Sequence, residues 1–409
     1  MRLIRNFIKR IYFRYFFKVQ KGKCIFIPHD GICINDKASI ISYKADNCLI
    51  FVRYILDNSL YNNKEIVVVS TTQEQAEKEE KYCQNNYPNA NIHIIPGLSN
   101  PANRKLREEW ASSEYIFCSE EKFPYKKKKG QHYLCLSYYP ISLKNDCYCS
   151  TTQHMGYRAQ NTNKPDVIVS SSLVNSQIDS AAFELPFYKF LPIGKVRSDV
   201  LLEHENLSHV RNILQKLCGD YKYSKIILYT PTHRDYERAT FDIKRSILGF
   251  DVNREKFEQF LKENEILIVC KLHPFQNKQV VDVNLPNGVV NFTGNEKFGL
   301  IELMKVSDML MTDYTSTYVD YLLLDKPVIF NFYDKEMYEK SRGLAFYPFE
   351  KICAGEIFTD EASFYHAVKE TIQFPNKHAN LRKEMTEHLN TYHINVCEKT
   401  YDTIFIKGI

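Results

Sequence analysis

No apolar run in this 409-residue chain approaches the roughly 20 residues that a membrane-spanning helix needs. A secretory signal is not expected either, because cations interrupt the only amino-terminal apolar stretch. The twelve cysteines include no C-x-x-C pair. The closest two, Cys147 and Cys149, stand too near each other for the usual zinc spacing, and the set reads as reduced core residues of a cytosolic protein. Neither G-x-G-x-x-G nor G-x-x-x-x-G-K-[ST] occurs, which argues against a dinucleotide dehydrogenase and a P-loop NTPase. H-E-x-x-H is missing, as is a D-x-D cluster at a strand end, so no metal and no cofactor is expected. A formal net charge of +5 is modest and gives no reason to expect nucleic acid. Repeats and low-complexity tracts are absent apart from four lysines at 126–129, which read as a solvated turn.

What the chain has is an ordinary globular composition, 44% hydrophobic and 25% charged. Its length exceeds one typical domain of about 100–200 residues and suggests two. The amino terminus, "MRLIRNFIKRIYFRYFFKVQKGK", carries eight Lys and Arg and no acid. Ile4, Phe7, Ile8, Ile11 and Phe16 interleave with Arg5, Lys9, Arg10 and Arg14. Residues 1–22 therefore read as a basic amphipathic helix on an anionic membrane surface. A helix docked on the protein's own core, with a solvated basic face, is the alternative.

Short apolar runs alternate with helical patterns almost throughout. "CIFIP", "EIVVVS", "IHIIP", "YIFCS", "HYLCLSYY" and "DVIVSSS" predict strands in the first half. "KIILYT", "ILIVCKLHP", "VVNFTG", "DMLMTD" and "PVIFNFY" predict strands in the second. Such alternation implies parallel α/β sheets covered on both faces. The expected fold is two Rossmann-like domains facing each other across a cleft. The boundaries read as an amino-terminal domain at 23–205, a carboxy-terminal domain at 206–385 and a closing helix at 386–409. A linking helix is expected within 203–222.

In an open α/β sheet, ligands bind beyond the carboxyl ends of the strands. There the second half offers His233 and Arg234 with Asp235, then Lys271 and His273, then Asp313, Thr315 and Ser316 before a helix. Arg342 and Gly343 follow the fifth strand. Arginine grips phosphate oxygens with two hydrogen bonds at once, and a helix start adds free N–H groups. The convergence points to a diphosphate. Each residue has a plainer reading: Asp313 and Ser316 would serve as helix caps, His273 as a loop histidine, and Arg234 with Asp235 as a local ion pair.

These same residues carry a family resemblance. "ILYTPTHRD", "IVCKLHPF", "DMLMTDYTSTYVDYLLLDKPVIFNFYD", "YEKSRGLAFYPFEKICAGEI" and "LPIGKVRSDVLL" resemble, in order, blocks of the CDP-glycerol glycerophosphotransferases of the teichoic-acid primase and polymerase type. The blocks span about residues 185–360; residues 25–130 carry no comparable match. The resemblance implies a GT-B-type fold and transfer of an alditol phosphate, most simply glycerol phosphate, from a CDP-alditol donor. The acceptor would be lipid-linked or a glycan, CMP would leave, and the site would lie at the cytoplasmic face of the cell membrane, peripherally attached. With the strand-end reading it assigns Arg197, Arg234, Lys271, His273, Thr315, Ser316, Arg342 and Gly343 to donor and phosphate binding, with His273 and Asp313 catalytic; His233 stands where the family has a tryptophan and reads as an additional polar group near the phosphates or the base.

One block departs. Where the family has "WHGTPLK", whose histidine is the usual candidate base, this chain has "YYPISLK" at 138–144. Lys144 is kept, Tyr139 replaces the histidine and Pro140 the glycine. His154, followed by Gly156, is the other candidate. Tyrosine, with an ordinary pKa of about 10, is a poor base at neutral pH. A GT-B glycosyltransferase using a nucleotide sugar such as a CMP-sugar, and a donor-binding regulator that has lost its base, are the competing readings.

Overall fold

The computed structural model describes residues 17–35, 37–98, 100, 103–120, 125–137, 141–145, 149, 164–232, 234, 246–272, 284–294 and 298–408. Seven parallel strands make the first sheet: β1 (Gln20–Ile27), β2 (Glu65–Ser70), β3 (Ile92–Pro96), β4 (Ser113–Cys118), β5 (His132–Cys135), β6 (Val167–Ser170) and β7 (Phe190–Pro192), in the order β3-β2-β1-β4-β5-β6-β7. Six more make the second: β8 (Lys225–Thr230), β9 (Ile266–Cys270), β10 (Val289–Asn291), β11 (Met309–Thr312), β12 (Val328–Asn331) and β13 (Glu356–Phe358), in the order β10-β9-β8-β11-β12-β13. The two α/β domains expected from the sequence are present. Each sheet reverses its winding once, between β1 and β4 in the first and between β8 and β11 in the second. Those reversals are where open sheets leave a crevice for ligands.

Strand composition explains the layering. β9, "ILIVC", is buried along its whole length, which requires cover on both faces. Helices supply it, and their starts are written into the sequence. Asp46 caps the helix Asn47–Asp57 by accepting the Cys48 and Leu49 N–H groups, and Thr72 caps Gln73–Asn86 through the Gln75 N–H. The linking helix is Ser208–Cys218. Nine of the described cysteines are buried and none of those described is paired.

Three sequence expectations change at the boundaries. Strand β1 starts at Gln20, so residues 20–22 belong to the first sheet rather than to an amino-terminal helix; residues 1–16 lie outside the described set. The carboxy-terminal segment is not one helix but two, Ala379–Leu389 and Val396–Tyr401, the latter running on through 402–406. It also returns to the first domain. The Asp199 carboxylate accepts the Val396 and Cys397 N–H groups at 2.9 and 2.7 Å, Tyr401 donates to the Leu60 carbonyl, and Phe405 packs edge-on against Tyr115. The lysine run, finally, is only partly solvated: Lys128 donates to the Ala111 carbonyl at 2.8 Å. Among the described residues no helix is long and apolar enough to cross a membrane.

Candidate active site

The winding reversal of the second sheet brings Arg234 and Asp313 of the expected cluster together. β8 ends at Thr230 and β11 at Thr312, hydrogen-bonded neighbours in register. Arg234 follows the first strand and Asp313 the second. They meet at 2.7 Å, with side chains 2% exposed.

That burial changes the role of Arg234. Its Nε and Nη2 reach the two carboxylate oxygens of Asp334 at 2.7 and 2.9 Å. Its Nη1 donates to Asp313 and to the Thr232 carbonyl. The rings of Tyr314, Tyr333 and Tyr338 surround it at 5.1–5.4 Å. Burial works against the charge, but Asp313, Tyr333 and Asp334 outweigh it and hold the guanidinium well above its ordinary range. The two-toothed grip expected for a phosphate is made on Asp334 instead. Arg234 is a strut that fixes the loop after β8, and the predicted solvent-facing phosphate contact is corrected accordingly.

Asp313 is part of the same strut. It accepts the Thr232 N–H and hydroxyl and the Tyr314 N–H as well as Arg234. It is 1% exposed, a placement that suits orienting the loops and holding Arg234 rather than touching a substrate. Asp334 was missed by sequence reasoning. Its position at the end of the β12 block, "PVIFNFYD", was the available signal.

Arg197 is also an internal strut. It is 8% exposed. Its Nε donates to Asn47 of the first domain at 3.1 Å, and its Nη1 meets Asp320 of the second at 3.2 Å. A donor-binding role is therefore replaced by one at the seam between domains. Thr315 and Ser316 are half-buried at the start of the short helix Thr317–Leu322. Thr315 Oγ1 accepts the Thr317 N–H at 3.4 Å, and Ser316 makes no side-chain cap. Lys271 follows β9, half-buried. His233, His273, Tyr139 and His154 lie outside the described residues.

Arg342 and Gly343 take part in a direct link between domains. Lys144 and Leu344 form an antiparallel bridge. The Asn145 N–H donates to the Gly343 carbonyl at 3.1 Å, the Ala345 N–H to the Leu143 carbonyl at 3.0 Å, and Arg342 Nε to the Asn145 carbonyl at 3.2 Å. Gly343 has φ +83°, and a Cβ there would lie 2.3 Å from Asn145 Nδ2, so both conformation and space require glycine. The segment that follows Tyr139 is thus fastened to the segment bearing Arg342.

The reversal of the first sheet holds a histidine that sequence reasoning passed over. His29 follows β1, and its Nε2 lies 2.9 Å from Glu120 Oε1, just after β4. A carboxylate oriented on imidazole is the arrangement that sets up a general base. The signal was "CIFIPH", a histidine at a strand's carboxyl end, the same criterion that picked out His273.

The sequence matches the family of CDP-glycerol:poly(glycerophosphate) glycerophosphotransferases over residues 42–406. The chain belongs to that family. Among its relatives is a teichoic acid glycerol-phosphate primase of Bacillus spizizenii, 32% identical over 179 residues, 44% of this chain and 43% of the primase. A teichoic acid ribitol-phosphate primase of the same organism is 27% identical over 194 residues, 46% of each chain. A teichoic acid poly(glycerol phosphate) polymerase of Staphylococcus epidermidis is 25% identical over 316 residues, 68% of this chain and 41% of the polymerase. The chain spans less than half the length of these curated relatives. In fold it is similar to the wall teichoic acid polymerase TagF, with a TM-score of 0.74 at 17% identity over 99% of this chain and 96% of that one. The GT-B-like pair of domains is also shared with a UDP-GlcNAc 2-epimerase from Neisseria meningitidis, TM-score 0.51 at 14% identity, covering 94% and 99% of the two chains.

Proposed function

We propose that this glycerophosphotransferase-family member moves an alditol phosphate, glycerol phosphate foremost, from a CDP-alditol to a hydroxyl of a lipid-linked or glycan acceptor in surface-polymer synthesis. The observation that carries the reading is family membership across 42–406. The position of Lys271 after β9 and of Thr315 and Ser316 after β11, half-buried at strand ends beside the second winding reversal, supports it. So does the naming of its relatives as teichoic acid primases and polymerases. A variant of TagF with the same fold, TM-score 0.73, has been solved after a soak with CDPG.

The acceptor oxygen attacks the β-phosphorus, a new P–O bond forms, the diphosphate bridge breaks and CMP leaves. The acceptor proton passes to a base on the first domain. Charge gathers on the phosphoryl oxygens and on the departing CMP, so cations and N–H donors around them lower the barrier. His273, Lys271, Arg342, His233 and the Thr315–Ser316 turn are the groups assigned to that task. Arg234, Asp313 and Asp334 keep those loops in place. The base is one of His154, Tyr139 and His29. The basic amino terminus would hold the enzyme at the cytoplasmic face of the membrane, where a lipid-linked acceptor resides.

Incubation with CDP-glycerol, CDP-ribitol and a panel of nucleotide sugars, read as nucleotide release, tests the proposal. CMP release from a CDP-alditol, dependent on acceptor, is the expected result. Turnover of a nucleotide sugar alone would replace the reading with glycosyl transfer.

A further inference from the structure

His29 and Glu120 leave the carboxyl ends of β1 and β4, the two strands between which the first sheet reverses. Their side chains meet at 2.9 Å through His29 Nε2 and Glu120 Oε1. One carboxylate behind them fixes both loops. Asp46 Oδ2 accepts the His29 N–H at 2.9 Å, and its Oδ1 accepts the hydroxyl of Ser119, the neighbour of Glu120, at 2.9 Å. The same side chain caps the helix Asn47–Asp57, so the pair is anchored to a packed element rather than to a loose loop.

Asn47 fixes where the pair stands. Its Nδ2 donates to the carbonyls of Leu136 and Ser137 at 2.9 and 2.5 Å, immediately before the 138–144 block in which the family carries its histidine. Its Oδ1 accepts Arg197 Nε, and Arg197 in turn reaches Asp320 of the second domain. Asp320 lies on the helix that follows the Thr315–Ser316 turn. The pair therefore stands beside the chain leaving β5 and across the domain seam from the turn assigned to the donor phosphates. Within the pair, Glu120 is the outward member. Its side chain is 33% exposed against 19% for His29. His29 Nδ1 is shut off from solvent and Nε2 is turned on Glu120. The imidazole is placed to hold the carboxylate, and the carboxylate to meet a hydroxyl in the cleft.

We propose that the His29–Glu120 pair is the acceptor-side base, and that the proton enters it through Glu120, with His29 the positioning residue. The proposal rests on the glycerophosphotransferase reading above. As the acceptor oxygen bonds the β-phosphorus, its O–H bond breaks and the proton passes to the Glu120 carboxylate. The P–O bond of the diphosphate bridge breaks, and CMP leaves with that electron pair. A hydrogen bond donated to a carboxylate favours its charged form, the form that acts as base, and His29 supplies it. Among the described residues Asp46 is the other charged group facing the pair. The Cys48 and Cys118 thiols packed near Asp46 are pushed well above their ordinary range by burial and stay neutral.

CMP release from CDP-glycerol and CDP-ribitol by the full chain, with water or glycerol 3-phosphate as the hydroxyl, tests it as a function of pH. Glu120→Gln keeps an oxygen for His29 and removes the base. It should lower kcat by about 10²–10⁴-fold, with the donor KM and the CMP affinity by titration calorimetry close to those of the wild type. His29→Ala takes a hydrogen bond from the charged carboxylate, so it should move the acid limb of the pH–rate profile upward by about one unit. Lost packing alone does not move that limb. Normal turnover in Glu120→Gln, a fall in its CMP affinity as large as its fall in rate, or an unmoved acid limb in His29→Ala overturns the assignment. With wild-type CMP release intact, each of those results places the base elsewhere and leaves the transferase reading standing. A wild type that releases no CMP removes that reading and this inference with it.

Discussion

Arg234 and Asp334, a hundred residues apart in sequence, face each other through two parallel hydrogen bonds of 2.7 and 2.9 Å. The geometry is the one a guanidinium uses on phosphate, here satisfied inside the protein. Removing either partner leaves the other charge buried. Arg234→Met, which leaves Asp313 and Asp334 buried without their cation, should destabilise the fold by about 3–5 kcal/mol, read by denaturant unfolding, and Asp334→Asn, which leaves Arg234 with Asp313, by less. Full stability with lost turnover would return Arg234 to the phosphate.

Arg342 is a different case, half-buried at the domain seam. Arg342→Ala should lower turnover by about 10²–10³-fold, as losing one preorganised donor does, with a melting temperature close to that of the wild type. An equal fall in stability and rate would reduce it to a structural contact.

The contact between Asn145 and Gly343 should be trappable. A Cβ built at Gly343 lies 3.5 Å from Asn145 Cβ, within the range a disulfide spans. Asn145→Cys removes the amide that a Cβ at Gly343 would meet, and with Gly343→Cys it should cross-link under mild oxidant, seen by peptide mapping, at a cost in stability for a side chain at φ +83°. Failure to cross-link would mean that the two domains do not meet this way in solution.

The first-domain base is decided by comparing His154→Ala, Tyr139→Phe and His29→Gln. One of the three should lose turnover by about 10²–10⁴-fold, the usual worth of a general base. Near-normal rates in all three would remove the acceptor side of the mechanism.

Glu79 makes stability depend on pH. Burial pushes its carboxyl up to about 7, against hydrogen bonds from Gln75 and Ser70 that pull the other way. The folded state then binds the proton more tightly than the unfolded chain, whose value is near 4.5. Its contribution is complete below the unfolded value and is lost as pH rises from about 4.5 to 7. Glu79→Gln should flatten that part of the melting-temperature profile, and an unchanged slope would assign it to another group.

Deleting residues 1–22 tests the membrane role, and because β1 begins at Gln20 the cleaner variant removes 1–16. It should abolish flotation with anionic vesicles while leaving CMP binding unchanged. Flotation unaffected by the deletion would place the membrane contact elsewhere.

Much of the architecture was legible because parallel strands, buried on both faces, stand out as continuous apolar runs. β7, "FLP", and β13, "EIF", escaped notice because three residues give no pattern to read. The strand ends that carry Arg234 and Asp313 were legible, and the wiring around them was not. Strand ends located Arg234 and Asp313 correctly, but nothing local to "PTHRD" reveals that a carboxylate a hundred residues later neutralises the arginine. The same limit hid Arg197, whose partners Asn47 and Asp320 come from both domains. His29 stands in the sequence as a histidine at a strand's carboxyl end, but only the fold brings Glu120 to its ring.

The return of the carboxyl terminus to Asp199 has a mechanical consequence. The chain passes from the first domain to the second near 203–208 and comes back near 390–396. The passages run side by side, since Val396 packs against Gly194 and bonds Asp199. A body tethered by one strand can swivel in any direction. Two adjacent tethers favour rotation about the line that joins them, and any such rocking would have to break the bridge between Lys144 and Leu344.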